Sequence, residues 1–257
     1  MLNTSLKNEK IVKKITDFLK KEFKKRKKKK AIIGISGGID STLTAFLCKK
    51  AGLDLYGLIL PYKKINIEES KEALRALSLP KNRVITINIG PGVDAQVKEL
   101  KKINKPDKVD IGNIMARQRM IVQYFFARRL GGLVVGTENL SEYYLGYFTL
   151  YGDQACDISP IAGLWKTEVY QLARYLHIPE ELINKKPTAG LWPGQTDEKE
   201  LGYTYEKADE IMYYSIVKKL SKKEIIKKGQ SSDIINKVLK RIKATEYKRQ
   251  NPPKCLI

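Results

Sequence analysis

Four short aliphatic runs, each parted from the next by a stretch of helical periodicity, constrain the fold of this chain more than any other feature. They are Ala31–Ile35, Tyr56–Leu60, Val84–Ile89 and Leu133–Gly136, rich in Ile, Val and Leu and too short to be helices. Between them, helical patterns occupy Thr42–Cys48, Glu68–Leu77, Val93–Ile103 and Ile111–Leu130. Strands alternating with crossover helices pair in parallel, and the helices then cover both faces of the sheet. The sequence therefore predicts an α/β fold, a three-layer α/β/α sandwich around a parallel sheet. Ile11, Ile15, Phe18, Leu19 and Phe23 place an amphipathic helix over residues ~4–28, ahead of the first strand. After residue 150 the alternation stops. Helices are expected at Lys166–His177, Ser221–Gly229 and Ser232–Gln250, while Gly146–Pro160 and Lys185–Gly202 read as loops. A single domain over residues 1–257, with helices appended at its C-terminal end, accounts for the pattern.

In open parallel sheets ligands lodge beyond the carboxyl ends of the strands. Gly34-Ile35-Ser36-Gly37-Gly38-Ile39-Asp40-Ser41 lies in that place, between the first strand and the helix that follows. Backbone N–H groups and a helix N-terminus converge on an anion in such a context. Gly37 and Gly38 allow close approach to phosphate oxygens, Ser36 and Ser41 add hydroxyls, and Asp40 offers a carboxylate to a phosphate-bound Mg²⁺. No Gly-Lys-Ser/Thr follows, and the glycines are not spaced Gly-x-Gly-x-x-Gly, so neither common nucleotide fingerprint applies. The bland alternative is a tight turn of small residues.

Composition removes several classes of function. The chain has 257 residues, with 49 Lys and Arg against 28 Asp and Glu, a net charge of +21. Lys24 to Lys30 is almost continuously basic, and Lys27–Lys30 is expected to close the first helix, where cations complement the dipole. Such a surplus draws polyanions over long range. The lysines nevertheless recur throughout, on helices whose opposite faces are apolar, which reads as a solvated surface with a general attraction for phosphates rather than a nucleic-acid interface. No apolar run approaches the ~20 residues that span a bilayer, and no signal-peptide core is seen, so a cytoplasmic setting is expected. Cys48, Cys156 and Cys255 have no metal-ligand spacing, and His177 is the one histidine. A Cys/His zinc site and a His-based triad are thereby disfavoured. Cys48 is expected in the core and His177 at a helix end.

Other segments carry candidate chemistry. Thr137 begins Thr-Glu-Asn-Leu-Ser-Glu just past the fourth strand, and Glu142 is either a second oxygen ligand beside Asp40 or an N-terminal capping carboxylate. Gly146–Asp157 packs aromatics, glycines and two acids into a loop suited to stacking on a ring. Arg117 and Arg119, near the start of a long helix, suit phosphate or a surface ion pair. Lys166 opens a helix, which an adjacent anion would favour. Lys186–Glu198, with Trp192 near its centre, mixes rigid and hinged residues as a closing loop does.

Taken in order, these segments resemble one family, the ammonia-dependent NAD synthetases, from Gly34 to Pro253. The resemblance rests on Gly34–Ser41, Asn113–Met120, Gly136–Glu142, Gly146–Asp157, Ser159-Pro160-Ile161, Leu164–Glu168, Lys186–Gly202 and Lys248–Pro253. It implies an adenine-nucleotide α-hydrolase-like sandwich, a homodimer with the dinucleotide near the subunit interface, and ATP and Mg²⁺ as co-substrate and cofactor. By the same resemblance Gly34 to Ser41, Thr137, Lys166 and Thr188 contact ATP, and Asp40 and Glu142 bind the metal. Arg117, Asp157, Tyr247 and Lys248 contact deamido-NAD, and Asp40, Lys166 and Asp157 are the expected catalytic group. Two positions depart from the family pattern: Leu150 stands where lysine is frequent, and Tyr247 where histidine precedes the lysine. The implied reaction adenylates the nicotinate carboxylate of deamido-NAD, releases pyrophosphate, and lets ammonia displace AMP to give NAD. No glutaminase segment is seen, so free ammonia or a separate ammonia donor is implied. A tRNA-modifying ATP pyrophosphatase would share Ser36–Ser41 and use the positive charge, but lacks reason for the 146–157 and 186–202 segments. A passive nucleotide sensor would have less need of two metal carboxylates.

Overall fold

Alternate residues of the central strand point into two different cores, and that divides the molecule into layers. The computed structural model describes residues 8–63, 67–192 and 194–255. Its sheet has four parallel strands, β1 (Lys30–Gly34), β2 (Asp54–Ile59), β3 (Val84–Thr86) and β4 (Leu133–Val134), in the order β3-β2-β1-β4. Ala31 pairs with Leu55 on one side and Leu133 on the other. Ala31, Ile33 and Ile35 pack with α1 (Asn8–Lys25), α2 (Ile39–Lys50) and α7 (Lys166–Tyr175), whereas Ile32, Tyr56 and Leu58 pack with α4 (Gly90–Leu100) and α5 (Lys108–Leu130). With α3 (Ile67–Ala76) between β2 and β3, this is the predicted three-layer α/β/α sandwich.

The chain builds outward from β1 to β2 to β3, then returns through α4 and α5 to place β4 on the other side of β1. The strand order reverses between β1 and β4, and the crevice opened there lies past Gly34 and Val134. Asp107 fixes the start of the long return helix. Its carboxylate accepts from the Val109 and Asp110 N–H groups, and Asp110 caps the Asp107 N–H in return. Gly131, at φ +67, ends the same helix in the left-handed region.

A third core lies outside the sandwich. Leu145, Trp165, Tyr205, Ile211, Ile225 and Val238 join α6 (Leu140–Leu145), α10 (Tyr205–Met212), α11 (Lys222–Lys227) and α12 (Ser232–Ala244) into the appended helical unit. The short helices α8 (Glu180–Ile183) and α9 (Asp197–Leu201) connect it to the rest.

Several expected bounds move. Lys27–Lys30 do not close α1: Phe23 and Lys24 carbonyls accept from Lys28 and Lys27, Lys27 turns left-handed at φ +52, and Lys30 already belongs to β1. The run Val84–Ile89 forms only three strand residues, although the Ile87 and Ile89 N–H groups still reach the Ile59 and Pro61 carbonyls. The Lys185–Gly202 loop contains α9, and α10 had no counterpart among the expected helices. The expected beginning of α1 before residue 8 and Pro193 of the closing loop lie outside the described residues. His177 does end α7, at φ +54 with its N–H on the Arg174 carbonyl, and Cys48 is buried.

Ile33 is fully buried in the central strand. Ile33→Ala should cost about 2–5 kcal/mol, read from the midpoint of urea unfolding at unchanged m-value.

Candidate active site

The glycine turn between β1 and α2 is held open by its own side chains. The Ser41 hydroxyl donates to the Gly38 carbonyl at 3.0 Å and lies 3.1 Å from the Ser36 hydroxyl, which accepts from the Gly38 N–H at 3.2 Å. The two serines thus shape the loop as well as offering groups to an anion. Gly37 sits at φ +82, and a Cβ built on it would lie 2.5 Å from the Glu69 Cβ. Both its backbone conformation and α3 behind it therefore require glycine. Gly38 is the residue before α2 and carries no side-chain cap, so the first N–H groups of this 12-residue helix face outward.

Three elements then bring three charges together. Asp40 comes from the first turn of α2, Glu142 from α6 and Lys166 from the first position of α7. The Lys166 ammonium donates to Asp40 at 2.5 Å and to Glu142 at 3.2 Å, and its side chain is only 3% exposed. Burial pushes its pKa down, but the two carboxylates more than offset this and hold it above the ordinary lysine value. Burial drives Glu142 the other way, raising its pKa against the pull of Lys166. Glu142 is the N-terminal capping carboxylate of its sequence context, and the same side chain also faces the lysine. Its Oε2 accepts from the Asn139 N–H and caps α6, while its Oε1 meets Lys166. Asn139, fully buried, accepts from the Glu142 N–H and donates its side-chain amide to Asp40 at 2.8 Å.

Two carboxylates aimed at one cation suit a small, hard divalent ion that takes its remaining ligands from phosphate and water. Among the described residues no cluster of three or more His, Cys, Asp or Glu is arranged to hold a metal. Such an ion would compete with Lys166 for its two carboxylates and depend on nucleotide oxygens for the rest.

A cavity of ≈ 680 Å³ opens above this triad. Gly34, Ile35, Ser36, Gly37, Gly38, Ile39, Asp40, Ser41, Thr137, Glu142, Lys166, Thr188 and Lys248 all line it. Arg119 lines it as well, its Nε–H donating to the Leu60 carbonyl. Lys248 reaches in from the C-terminal end and donates to the Gly146 and Phe148 carbonyls at 2.8 and 2.6 Å.

Arg117, Asp157 and Tyr247 are not part of this lining. Arg117 donates to the Leu150 carbonyl, so the backbone of the residue that replaces the frequent lysine is already engaged. The Asp157 carboxylate accepts from the Val134 N–H at the sheet edge. Tyr247 stands exposed in a short 3₁₀ turn. Conversely, Asp153, Asp197, Glu200 and Gln195 line the cavity from segments read only as loops, with no individual role expected of them. Asp197 accepts from the Ala189 N–H and the Tyr205 hydroxyl, and Glu200 from the Tyr147 hydroxyl and the Gln195 amide. These bonds pin the 185–202 segment over the cavity. The Asp-Glu-x-Glu run at 197–200 was the available signal, but acids beginning a helix usually complement its dipole and no more.

One acid behind the cavity is poorly served. Glu138 has a buried Oε1 with no hydrogen-bond partner, and burial, aided by Asp153 and opposed by Lys248, pushes its pKa up to about 8. A carboxyl whose native pKa stands above its unfolded value favours the fold while protonated and opposes it once ionised. Glu138→Gln should therefore match the wild type near pH 5 and exceed its stability at pH 8.5, by on the order of 1–3 kcal/mol in thermal melts.

Comparison with known proteins agrees with this architecture. The family model for NAD synthase matches residues 11–252. An NH(3)-dependent NAD(+) synthetase from Fusobacterium nucleatum is 40% identical over 240 residues, 93% of this chain and 92% of that protein. Among solved structures, an NMN synthetase from Francisella tularensis superposes with a TM-score of 0.86 at 30% identity, covering 98% of this chain and all of that one. An NH3-dependent NAD synthetase from Campylobacter jejuni has a TM-score of 0.80 at 30% identity, over 98% of this chain and 100% of that one. With a family model over nearly its whole length and a relative so similar across both chains, the protein belongs to the NAD synthase family.

Proposed function

We propose that the chain is a ligase that amidates deamido-NAD to NAD with ammonia at the expense of ATP. The observation that carries this reading is the buried Lys166 ammonium clasped by Asp40 and Glu142 at the mouth of the glycine turn. A module that only bound a nucleotide would have less need of two carboxylates placed to hold a metal.

A carboxylate resists attack by ammonia because its charge repels the nucleophile and oxide is a poor leaving group. Transfer of AMP from ATP onto the nicotinate carboxylate removes the charge, installs a good leaving group and releases pyrophosphate. Ammonia then adds at the acyl carbon and AMP departs. In this scheme Gly34 to Ser41 cradle the phosphates, Thr137 and Thr188 flank the nucleotide, and Lys166 balances charge building on the departing pyrophosphate. Asp40 and Glu142 would hold Mg²⁺, which when bound supplies charge neutralisation on the triphosphate. Lys248, with Arg117, Asp157 and Tyr247, is assigned to the dinucleotide.

The last three lie outside the cavity of one protomer, which suits a site completed by a second copy. Arg117, Ile121 and Phe125 recur four residues apart on α5, with Ile121 and Phe125 exposed. An apolar stripe beside an arginine fits a homodimer in which α5 faces its counterpart. Phe125→Glu should convert a dimer to a monomer in sedimentation velocity. A cytoplasmic location and residues 1–257 working as one synthetase unit complete the proposal. Among the described residues no helix is long and apolar enough to cross a membrane.

Purified protein given ATP, Mg²⁺, deamido-NAD and an ammonium salt should yield NAD, AMP and pyrophosphate in equal amounts, followed by chromatography. Replacing deamido-NAD by nicotinate mononucleotide tests the reading suggested by the Francisella likeness, and replacing it by tRNA should release no pyrophosphate. Trp192 lines the cavity with the Lys108 ammonium 5.0 Å from its ring centre. If the 185–202 segment keeps water from the acyl adenylate, Trp192→Gly should raise AMP release without NAD formation; unchanged coupling would reject that role.

A further inference from the structure

Lys166 and Glu142 hang from helices tied together by a residue that does not line the cavity. Asp209, on α10, is fully buried. Its Oδ1 accepts from the Ser141 hydroxyl at 2.5 Å. Its Oδ2 accepts from both the Thr167 N–H, at 3.0 Å, and the Thr167 hydroxyl, at 2.9 Å. The Ser141 oxygen in turn accepts from the Lys166 N–H at 2.8 Å. Ser141 adjoins Glu142 and Thr167 adjoins Lys166.

Helix α7 needs this arrangement. The residue before it, Trp165, has no side-chain acceptor to offer, and the Glu168 carboxylate turns back only to the Trp165 N–H. The next two orphan donors, on Lys166 and Thr167, would be left in a buried helix end. Asp209 satisfies one directly and the other through Ser141, and its negative charge sits at the positive end of the helix dipole. The same carboxylate therefore fixes the distance between the start of α6 and the start of α7. That distance decides where the Lys166 ammonium lies relative to Glu142 and Asp40.

We infer that Asp209 is a positioning residue for amide synthesis, acting through Ser141 and Thr167 to set the Lys166–Glu142–Asp40 geometry. The inference rests on the role proposed above for Lys166. Asp209 touches no substrate, so its loss should slow the chemical step more than it weakens deamido-NAD binding, since a misplacement of about 1 Å at a reacting centre costs up to a hundredfold.

Asp209→Asn is nearly isosteric but reverses one donor–acceptor relation, because the amide NH₂ must face either Ser141 or Thr167. It should lower kcat ten- to a hundredfold, with KM for deamido-NAD within threefold of the wild type. The decisive measurement is the calorimetric affinity for α,β-methylene-ATP with Mg²⁺ in wild type, Asp209→Asn, Lys166→Gln and the double variant. If Asp209 acts through Lys166, the double variant binds no more than threefold worse than Lys166→Gln alone. Losses that multiply, or a kcat per folded molecule within threefold of wild type beside a lowered melting temperature, reduce Asp209 to general scaffolding and overturn the inference. A Lys166→Gln enzyme with wild-type affinity and turnover would instead remove the Lys166 role itself, and the inference with it. Should Asp209→Asn not fold, Ser141→Ala cuts the Lys166 half of the same chain of bonds and is held to the same outcomes.

Discussion

A buried lysine between two carboxylates is an expensive object, and the site is organised around it. Each ion loses several kcal/mol of hydration, which mutual attraction repays only when the partners are well placed. Lys166, Asp40 and Glu142 meet that condition because α7, α2 and α6 each present one of them from a first helical turn. The helices could not drift apart without stranding charge in the interior. The triad is thus a constraint on tertiary structure before it is a piece of chemistry. It also joins the sandwich to the appended helices, since α2 belongs to one and α6 to the other.

How far this was legible in the sequence depends on the range of the interactions involved. Ala31–Ile35, Tyr56–Leu60 and Leu133–Gly136 could be read because burial on both faces leaves an unbroken aliphatic signature, whereas Val84–Ile89, at the sheet edge, is only half-buried and forms a shorter strand than its pattern suggests. The glycine turn could be read because Gly37 answers a local backbone demand. Asp40, Glu142 and Lys166 were singled out individually, yet nothing in their spacing announces that they touch. Asp209 was invisible, being an acid in an unassigned helix whose partners lie 42 and 68 residues away. Short helices such as α9 and α10 escaped for a related reason, because tertiary packing rather than periodicity stabilises them. Asp157 and Arg117, named by the resemblance, each hydrogen-bond a backbone group of this chain and do not line the cavity.

The positive charge acquires a clearer meaning beside the cavity. Lys185, Lys186, Arg119, Arg241 and Lys248 line it together with Lys166, against acids that are mostly occupied by hydrogen bonds. Two polyanions are required in the same space by the proposed reaction, and a field that gathers them also offsets their repulsion once bound. Among the described residues, many of the other lysines stand exposed on helices, where they act only over a Debye length.

Asn139 illustrates how narrowly two modest requirements can intersect. As the residue before α6 it needs an acceptor for the helix end, a task that Asp, Ser or Thr would perform about as well. As the neighbour of Asp40 it must also present a donor, and a carboxylate at that buried spot would add a third negative charge beside the triad. Only a side chain carrying both polarities on one short stem meets both demands. An amide at position 139 is therefore dictated by the ion beside it, and a change there that helix preferences score as harmless would turn a ligand of the triad into its rival.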